Sequence, residues 1–303
     1  MYIELLIVLA SFTIGYIINC KTINIKYIYL LLDILLYIIL FIMGIKLSMI
    51  DNLNYKLIVI FNDGMICFFC IFFSNIIFLI CYDIISSWKL FTKNNNHTSH
   101  KFHTIIIKIC FLYFASIIGY IVGLTKWWLL YHVQQTSILF LSCLLLLIGI
   151  VLNKHKLKIN HFFINIRAVV IAIIVSISSL LGGFIASWIL KLPANIGLAI
   201  SAGYGWYSLS SVLLADKYGP LIGTIALFND LMRELSSIIL IPFIIYRFPS
   251  TALGICGSTS MDVTLSILHK SSNSTIIPFA IIHGIILTFC APILITFFIY
   301  HIK

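Results

Sequence analysis

The sequence predicts an all-α polytopic membrane protein, and three observations lead to that fold class. Hydrophobic residues make up 62% of the 303 residues and charged residues only 9%, whereas a soluble domain carries about a quarter charged residues. The apolar residues gather into segments long enough to cross a bilayer. Most Lys and Arg residues lie in the short loops between these segments, as they do in multi-spanning proteins.

About eight segments qualify as transmembrane helices, because roughly 20 apolar residues are needed to span the hydrocarbon core. They are residues 2–20, 27–45, 57–82, 104–124, 136–152, 167–190, 220–246 and 275–300. The first lacks a basic start and an A-x-A cleavage site, which favours a span over a signal peptide. Two further apolar segments, 194–214 and 250–268, are interrupted by Gly and hydroxyl residues. Each is expected to be either a kinked span or a re-entrant hairpin.

The distribution of Lys and Arg predicts the orientation of the chain. If the N-terminus lies outside, the loops assigned to the inside hold about twice as many Lys and Arg residues as those outside. An even number of spans then places the C-terminus outside as well. The sequence gives no indication of oligomeric state.

The first part of the chain resembles itself. IGYII at 14–18 recurs as IGYIV at 118–122, and FIMGIKL at 41–47 recurs as LLIGIVL at 146–152. By our assignment the second copy lies three spans after the first, and an odd offset reverses direction, so the repeat is inverted. We therefore predict a single transporter domain, 1–303, in which 1–82 and 104–190 are inverted repeats and 194–300 forms a polar core. Inverted repeats with interrupted helices are common in secondary transporters, with the site near the midplane.

Three charged residues stand inside the span 220–246, in the sequence FNDLMRELSS. Asp230, Arg233 and Glu234 share one helical face, and Asn229 precedes them. A charge at the centre of a span costs about 2.5–3.5 kcal/mol, so this face should contact protein or a water-filled path. A pair between Arg233 and Asp230 that locks two helices is the structural alternative. One Arg cannot neutralise two acids, and the remaining acid could bind a cation or carry a proton.

The segment SAGYGWYSLSS, in 194–214, supplies a second group of candidates. Gly203 and Gly205 permit the helix to unwind. Trp206 and Tyr207 fit equally well as interfacial anchors or as walls of a binding pocket. In the second interpretation the polar contacts come from Ser208, Ser210 and Ser211.

The segment CGSTSMDVT, in 250–268, supplies a third group. Asp262 follows a run of small hydroxyl residues, namely Ser258, Thr259 and Ser260. Such residues loosen a helix and offer polar groups to a ligand. A half-helix N-terminus here could hold a carboxylate, and Asp262 could hold an ammonium group.

Other classes of protein find no support in the sequence. It contains no Walker A motif, no HExxH and no Ser-His-Asp grouping, so we predict neither an enzyme nor a cofactor. Cys67 and Cys70 lie in an apolar run, where thiols usually serve packing. The histidines of the 83–103 loop have no matching cluster, which argues against a metal site. The net charge of +10 is spread over short loops, which argues against nucleic-acid binding.

The three polar segments, taken together and in order, resemble the lysine exporter family, LysO. The motifs are GYGWYSLSS, FNDLMREL followed by LIP, and CGSTSMDVTL, with FIMGIKL and AIIHGIIL as further points of similarity. The resemblance covers nearly the whole chain. It implies a multi-pass carrier of the bacterial inner membrane that exports L-lysine and toxic lysine analogues. It also makes Glu234 and Asp262 the leading functional residues.

The implied substrate agrees with the charged residues. Lysine is a net cation, which favours a path with excess acid, and its export works against a potential of about 2.3 kcal/mol per charge per 100 mV. We therefore expect antiport with protons, in which Glu234 or Asp262 alternates between a proton and an ammonium group. The alternative is a monovalent cation/proton antiporter, although a bare ion would not need Trp206 and Tyr207. A membrane scaffold or sensor ranks last, because the chain shows no output domain.

Overall fold

The structure, a computed structural model, describes residues 10–11, 13–17, 25–48, 53–86, 114–115, 117–125, 133–154, 165–261, 263–272 and 276–301. Within these ranges the chain is helical and contains no strand. The longer helices are α1 (Ile25–Ser48), α2 (Leu53–Ser86), α3 (Val133–Lys154), α4 (Ile166–Leu190), α5 (Ala194–Ser201), α6 (Tyr207–Tyr218), α7 (Pro220–Ile244), α8 (Pro249–Cys256), α9 (Leu265–Ser271) and α10 (Ile277–His301). A 3₁₀ helix, Gly257–Met261, lies between α8 and α9. The predicted all-α fold class is confirmed.

Helices of the described chain are apolar enough for a bilayer. Three of those described satisfy both length and composition for a membrane span, namely Leu57–Ser86, Ile166–Leu190 and Ile277–Tyr300. Their outward faces carry large apolar side chains, such as Phe73 on α2 and Ile177 on α4. Such a surface is suited to lipid and would aggregate in water. The chain is therefore a polytopic membrane protein.

The helices α2 and α4 pack against each other at their centres through polar and small residues. The Ser74 hydroxyl donates to the Ser178 carbonyl (2.7 Å), and the Ser178 hydroxyl donates to Oδ1 of Asn75 (2.6 Å). Nearby, a Cβ added at Gly182 would lie 2.6 Å from the Cα of Ile71. Small residues allow such close approach between membrane helices, and interhelical hydrogen bonds stabilise it further.

Reciprocal contacts connect the two segments in which the sequence predicts a repeat. A Cβ added at Gly15 would collide with the carbonyl of Leu146, and one added at Gly119 would collide with the carbonyl of Phe41. These are matching positions of the two copies. An inverted repeat would produce such an exchange of contacts, and the repeat stays a prediction that this geometry supports.

Helices α5 and α6 form a re-entrant hairpin, which we call hairpin 1 (residues 194–218). Nδ2 of Asn195, at the start of α5, donates to the Tyr218 hydroxyl at the end of α6 (3.2 Å). Both ends of the hairpin therefore lie at the same end of the helix bundle. The chain reverses at its tip, where Tyr204 (φ 50°) and Gly205 (φ 87°) adopt left-handed conformations.

The next hairpin starts from the opposite end of the bundle. Helix α7 runs parallel to α2, since Phe228 packs on Phe61 (ring centroids 5.6 Å apart) and against Gly64, in the first half of α2. Just beyond the end of α7, the N–H of Ser250 donates to Oδ1 of Asp83 (2.9 Å). Asp83 lies near the end of α2. Helix α8 thus begins at the end of the bundle that α7 reaches, away from the base of hairpin 1.

Helices α8 and α9, with the 3₁₀ helix between them, form hairpin 2 (residues 249–271). Helix α10 has 25 residues, so it is roughly 37 Å long. Its end reaches the base of hairpin 1, where the Tyr218 hydroxyl donates to the Ile299 carbonyl (3.5 Å). Its start, which follows α9 closely in sequence, therefore lies at the other end of the bundle. Hairpin 2 also returns to its starting end, so both broken segments re-enter instead of crossing.

Asp83 anchors the base of hairpin 2, and its removal is expected to destabilise the protein. Its carboxylate accepts hydrogen bonds from the N–H groups of Ser250 and Thr251 and from the Thr251 hydroxyl. Since these N–H groups begin α8 and have no partner within the helix, Asp83→Ala should lower the free energy of unfolding by about 1–3 kcal/mol. Denaturation of the purified protein in detergent measures this, with Asp83→Asn, which keeps one acceptor, showing a smaller loss. An unchanged midpoint for Asp83→Ala would contradict it.

Candidate functional site

The tips of the two hairpins touch near the middle of the bundle. The N–H of Ser258 donates to the Tyr204 carbonyl (3.0 Å), and the Ser258 hydroxyl donates to the same oxygen (3.2 Å). Gly257, beside it, has a φ of 63°, and a Cβ added there would collide with the Tyr204 carbonyl. Two interrupted helices entering from opposite ends therefore meet through their backbones.

Asp230, on α7, holds the tip of hairpin 1. Its side chain is 1% exposed. It accepts hydrogen bonds from the Ser210 hydroxyl (2.6 Å), the N–H of Gly205 (3.3 Å) and Nδ2 of Asn229 (3.0 Å). A buried carboxylate needs such donors to offset the loss of water. Asp230 thereby fixes the unwound backbone of hairpin 1 at the centre of α7.

Arg233, one turn further along α7, holds the tip of hairpin 2. Its guanidinium is 2% exposed, and it donates from Nε to the Ile255 carbonyl and from Nη2 to the Gly254 carbonyl (both 3.3 Å). These carbonyls lie in the last turn of α8, where the helix leaves acceptors unsatisfied and carries partial negative charge. The cation is therefore a cap for α8.

This arrangement bears on two expectations. The sequence allowed a half-helix N-terminus that could hold a carboxylate at CGSTSMDVT. Two helix ends meet this segment, namely the C-terminal end of α8, which Arg233 caps, and the start of α9 at Leu265. The binding of a carboxylate there stays a prediction. The sequence also allowed a direct lock between Arg233 and Asp230. In the described chain their hydrogen bonds go to different hairpins, so the two side chains connect both tips to α7.

The predicted polar face of α7 is buried, as the cost of placing charges in lipid led us to expect. Glu234 is 3% exposed and follows Arg233 directly, and Ser237 is fully buried one turn later. The Ser237 hydroxyl donates to the backbone carbonyl of Glu234 (2.8 Å). This bond does not involve the side-chain carboxylate of Glu234. Asp262, the other leading candidate, lies outside the described residues.

The aromatic and hydroxyl candidates all lie at the two tips. Trp206 is half-buried, Tyr207 is 5% exposed and Ser208 is fully buried at the start of α6. This position, level with Asp230 at mid-bundle, does not suit interfacial anchors. In hairpin 2 the Thr259 hydroxyl donates to the Cys256 carbonyl (2.8 Å). The structure thus brings together the described candidates, on α7 and the two tips.

Sequence reasoning missed His283, on α10. Its ring is completely buried, and its Nδ1 lies 3.0 Å from the hydroxyl oxygen of Ser260. The available signal was an ionisable residue within an apolar span, in AIIHGIIL, which is a functional candidate by default. Among the residues that the structure describes, no group of three His, Cys, Asp or Glu side chains is arranged to hold a metal ion.

Ser210→Ala is expected to loosen hairpin 1 by removing a donor to the buried carboxylate of Asp230. A hydrogen bond to a charged group contributes about 1.5–3 kcal/mol, so the free energy of unfolding should fall by that amount. Ser211→Ala is the matched control, because that hydroxyl bonds the Tyr207 carbonyl of its own helix. Denaturation of the two purified variants compares them, and equal midpoints would show that the bond to Asp230 contributes no stability.

Comparison with known proteins places this sequence in a family. The family model for the lysine exporter LysO matches residues 113–299. Lysine exporter LysO of Escherichia coli (strain K12) is 40% identical over 305 residues, covering 98% of this chain and 99% of that protein. A second relative, from Haemophilus influenzae, is 41% identical over 186 residues, which are 61% of this chain and 94% of that protein. No solved structure matches. The chain belongs to the lysine exporter LysO family.

Proposed function

We propose that this protein is a secondary carrier, not an enzyme, and that it exports L-lysine and lysine analogues. The observation that carries the proposal is the 40% identity to the Escherichia coli lysine exporter over 98% of the chain. That range includes α7 and both hairpin tips. The relationship therefore extends to the part of the molecule where ionisable groups are buried.

The geometry supports a division of roles among these groups. The carboxylate of Asp230 and the guanidinium of Arg233 hold the backbones of hairpins 1 and 2. We assign Glu234 and Asp262 to the cargo, since a net cationic solute requires excess acid along its path. Trp206, Tyr207 and the hydroxyl groups of both tips would surround the rest of the amino acid.

We further propose that export is coupled to the inward movement of protons. Moving a cation outward opposes the membrane potential by about 2.3 kcal/mol per charge per 100 mV. An exchange in which Glu234 or Asp262 carries a proton inward and releases it for an ammonium group supplies the required energy. Transport that ignores an imposed pH gradient in proteoliposomes would argue against this coupling.

The proposed location is the bacterial inner membrane, with both chain termini outside. This orientation follows from the excess of Lys and Arg in alternate loops. Hairpin 1 would then enter from the outside and hairpin 2 from the cytoplasm. Each side of the membrane would have one hairpin between it and the site.

The decisive experiment is efflux of labelled L-lysine from cells that lack other lysine exporters. Cells that produce the protein should release lysine faster than cells with an empty vector. The same assay in proteoliposomes, with unlabelled lysine or sodium as competitor, separates the exporter from a monovalent cation/proton antiporter. Competition by sodium without competition by lysine would favour the antiporter and overturn the proposal.

A further inference from the structure

Hairpin 2 rests on α10 at a point of unusually close contact. A Cβ added at Gly284 would lie 2.8 Å from both the Ser260 hydroxyl oxygen and the Cβ of Met261. Gly284 therefore lets the tip lie directly on the helix. This brings the Ser260 hydroxyl to the Ala280 carbonyl (2.9 Å) and to Nδ1 of His283 (3.0 Å).

These two contacts define which ring nitrogen of His283 carries the proton. A hydroxyl has a single hydrogen, and a carbonyl oxygen can only accept. The Ser260 hydroxyl therefore donates to the Ala280 carbonyl, and its oxygen accepts from Nδ1–H of His283. In the neutral ring Nε2 is then left as an acceptor with an available lone pair.

That acceptor is buried and has no protein partner among the described residues. His283 is 0% exposed, and Nε2 makes no hydrogen bond there. Buried polar atoms are nearly always paired, so an unpaired one requires an explanation. The unpaired Nε2 belongs to His283, which supports the tip of hairpin 2. The sequence of the same hairpin contains Asp262.

We propose that Nε2 of His283 accepts a hydrogen bond from an ammonium group of the cargo. This inference rests on the proposed function and adds a substrate contact to it. Ser260 orients the ring by fixing the proton on Nδ1. A nitrogen lone pair attracts N–H donors and repels carboxylate oxygens, so the contact selects the ammonium end of a basic amino acid.

Two substitutions separate this role from a purely structural one. In His283→Asn, the amide nitrogen replaces Nδ1 and can still donate to Ser260, but nothing replaces Nε2. In His283→Gln, the longer side chain places its amide oxygen near the position of Nε2, and the Nδ1 donor is lost. His283→Gln therefore keeps an acceptor for the cargo but loses the support of the hairpin. His283→Asn keeps that support but loses the acceptor.

The measurement is labelled lysine transport in proteoliposomes that contain equal amounts of intact protein, His283→Asn or His283→Gln. We expect His283→Asn to raise the half-saturating lysine concentration by about tenfold or more, with a smaller change in maximal rate. His283→Gln should stay within about threefold of the intact protein. Lysinamide, which has no carboxylate, should lose the same factor as a competitor in the Asn variant, because the contact is to an ammonium group.

The opposite pattern overturns the inference. If His283→Asn keeps the affinity of the intact protein, the ring only supports the hairpin. If His283→Gln is impaired as strongly as His283→Asn, an acceptor at the position of Nε2 does not restore binding, and the proposed contact is wrong. Lysine export by the intact protein would still stand in that case. If the intact protein moves no lysine, the proposed function fails, and the inference fails with it.

Discussion

Glu234→Gln is expected to abolish lysine export while the protein still enters the membrane at its normal level. The substitution keeps the size of a side chain that is 3% exposed in the middle of α7 and removes only its negative charge. Leaving a buried charge without its partner costs about 3–5 kcal/mol, which corresponds to a factor of about 100 or more in binding. Asp262→Asn should have a similar effect if both acids receive the cargo. Efflux of labelled lysine, normalised to the amount of protein in the membrane, measures both.

Asp63→Asn is the matched control for these variants. Asp63 is half-buried within the apolar span of α2, so the substitution also neutralises an acid inside a membrane helix. It does not belong to the hairpin tips or to the polar face of α7, and export should remain close to that of the intact protein. Normal export by both Glu234→Gln and Asp262→Asn would instead show that these acids are structural, and the cargo site would lie elsewhere.

Gly257→Ala is expected to separate the hairpin tips and to stop export. Gly257 has a φ of 63°, and its added Cβ would collide with the Tyr204 carbonyl, which already accepts two hydrogen bonds from Ser258. A backbone with φ 63° and ψ −138° is almost exclusive to glycine and costs an L-residue about 1–3 kcal/mol, and overpacking adds about 1–3 kcal/mol. A backbone oxygen cannot move aside as a flexible side chain can. The free energy of unfolding and the rate of efflux should therefore both fall.

Gly219 offers a control that separates strain from collision. It has a φ of 93°, but a Cβ added there would meet no atom within 4 Å. Gly219→Ala should therefore show only the conformational cost, about 1–3 kcal/mol, and should retain export. If Gly219→Ala and Gly257→Ala lose stability and export equally, the close contact between the tips has no effect beyond backbone strain.

Much of the helical architecture follows from the sequence. Apolar length predicts the long helices, and Gly and Ser interruptions predict that 194–214 and 250–268 are broken. Whether a broken segment crosses or returns depends on contacts between distant residues. The bond from Asn195 to Tyr218 closes hairpin 1, and the bonds from Ser250 and Thr251 to Asp83 position hairpin 2. No local pattern specifies such pairs.

The burial of the charged residues on α7 was predictable from the sequence, but their hydrogen-bond partners were not. Helical spacing places Asp230, Arg233 and Glu234 on one face, and their burial follows from the cost of charge in lipid. A broken helix, however, also frees backbone groups that need partners inside the membrane. Asp230 and Arg233 satisfy those groups on different hairpins, a division that residue spacing cannot reveal. For His283 the signal was present in the sequence, but its partner Ser260 lies on a separate segment.

The meeting of two short half-helices has an electrical consequence. Helices α5 and α8 each have eight residues and so reach about 12 Å from opposite ends, close to half of a hydrocarbon core of roughly 30 Å. A cation held where the tips touch has therefore passed about half of the transmembrane field. The electrical work of export divides into two steps of about 1 kcal/mol each per 100 mV. At a cytoplasmic pH high enough to leave the site without a proton, the apparent affinity for cytoplasmic lysine should consequently depend on voltage about half as steeply as a full charge crossing would.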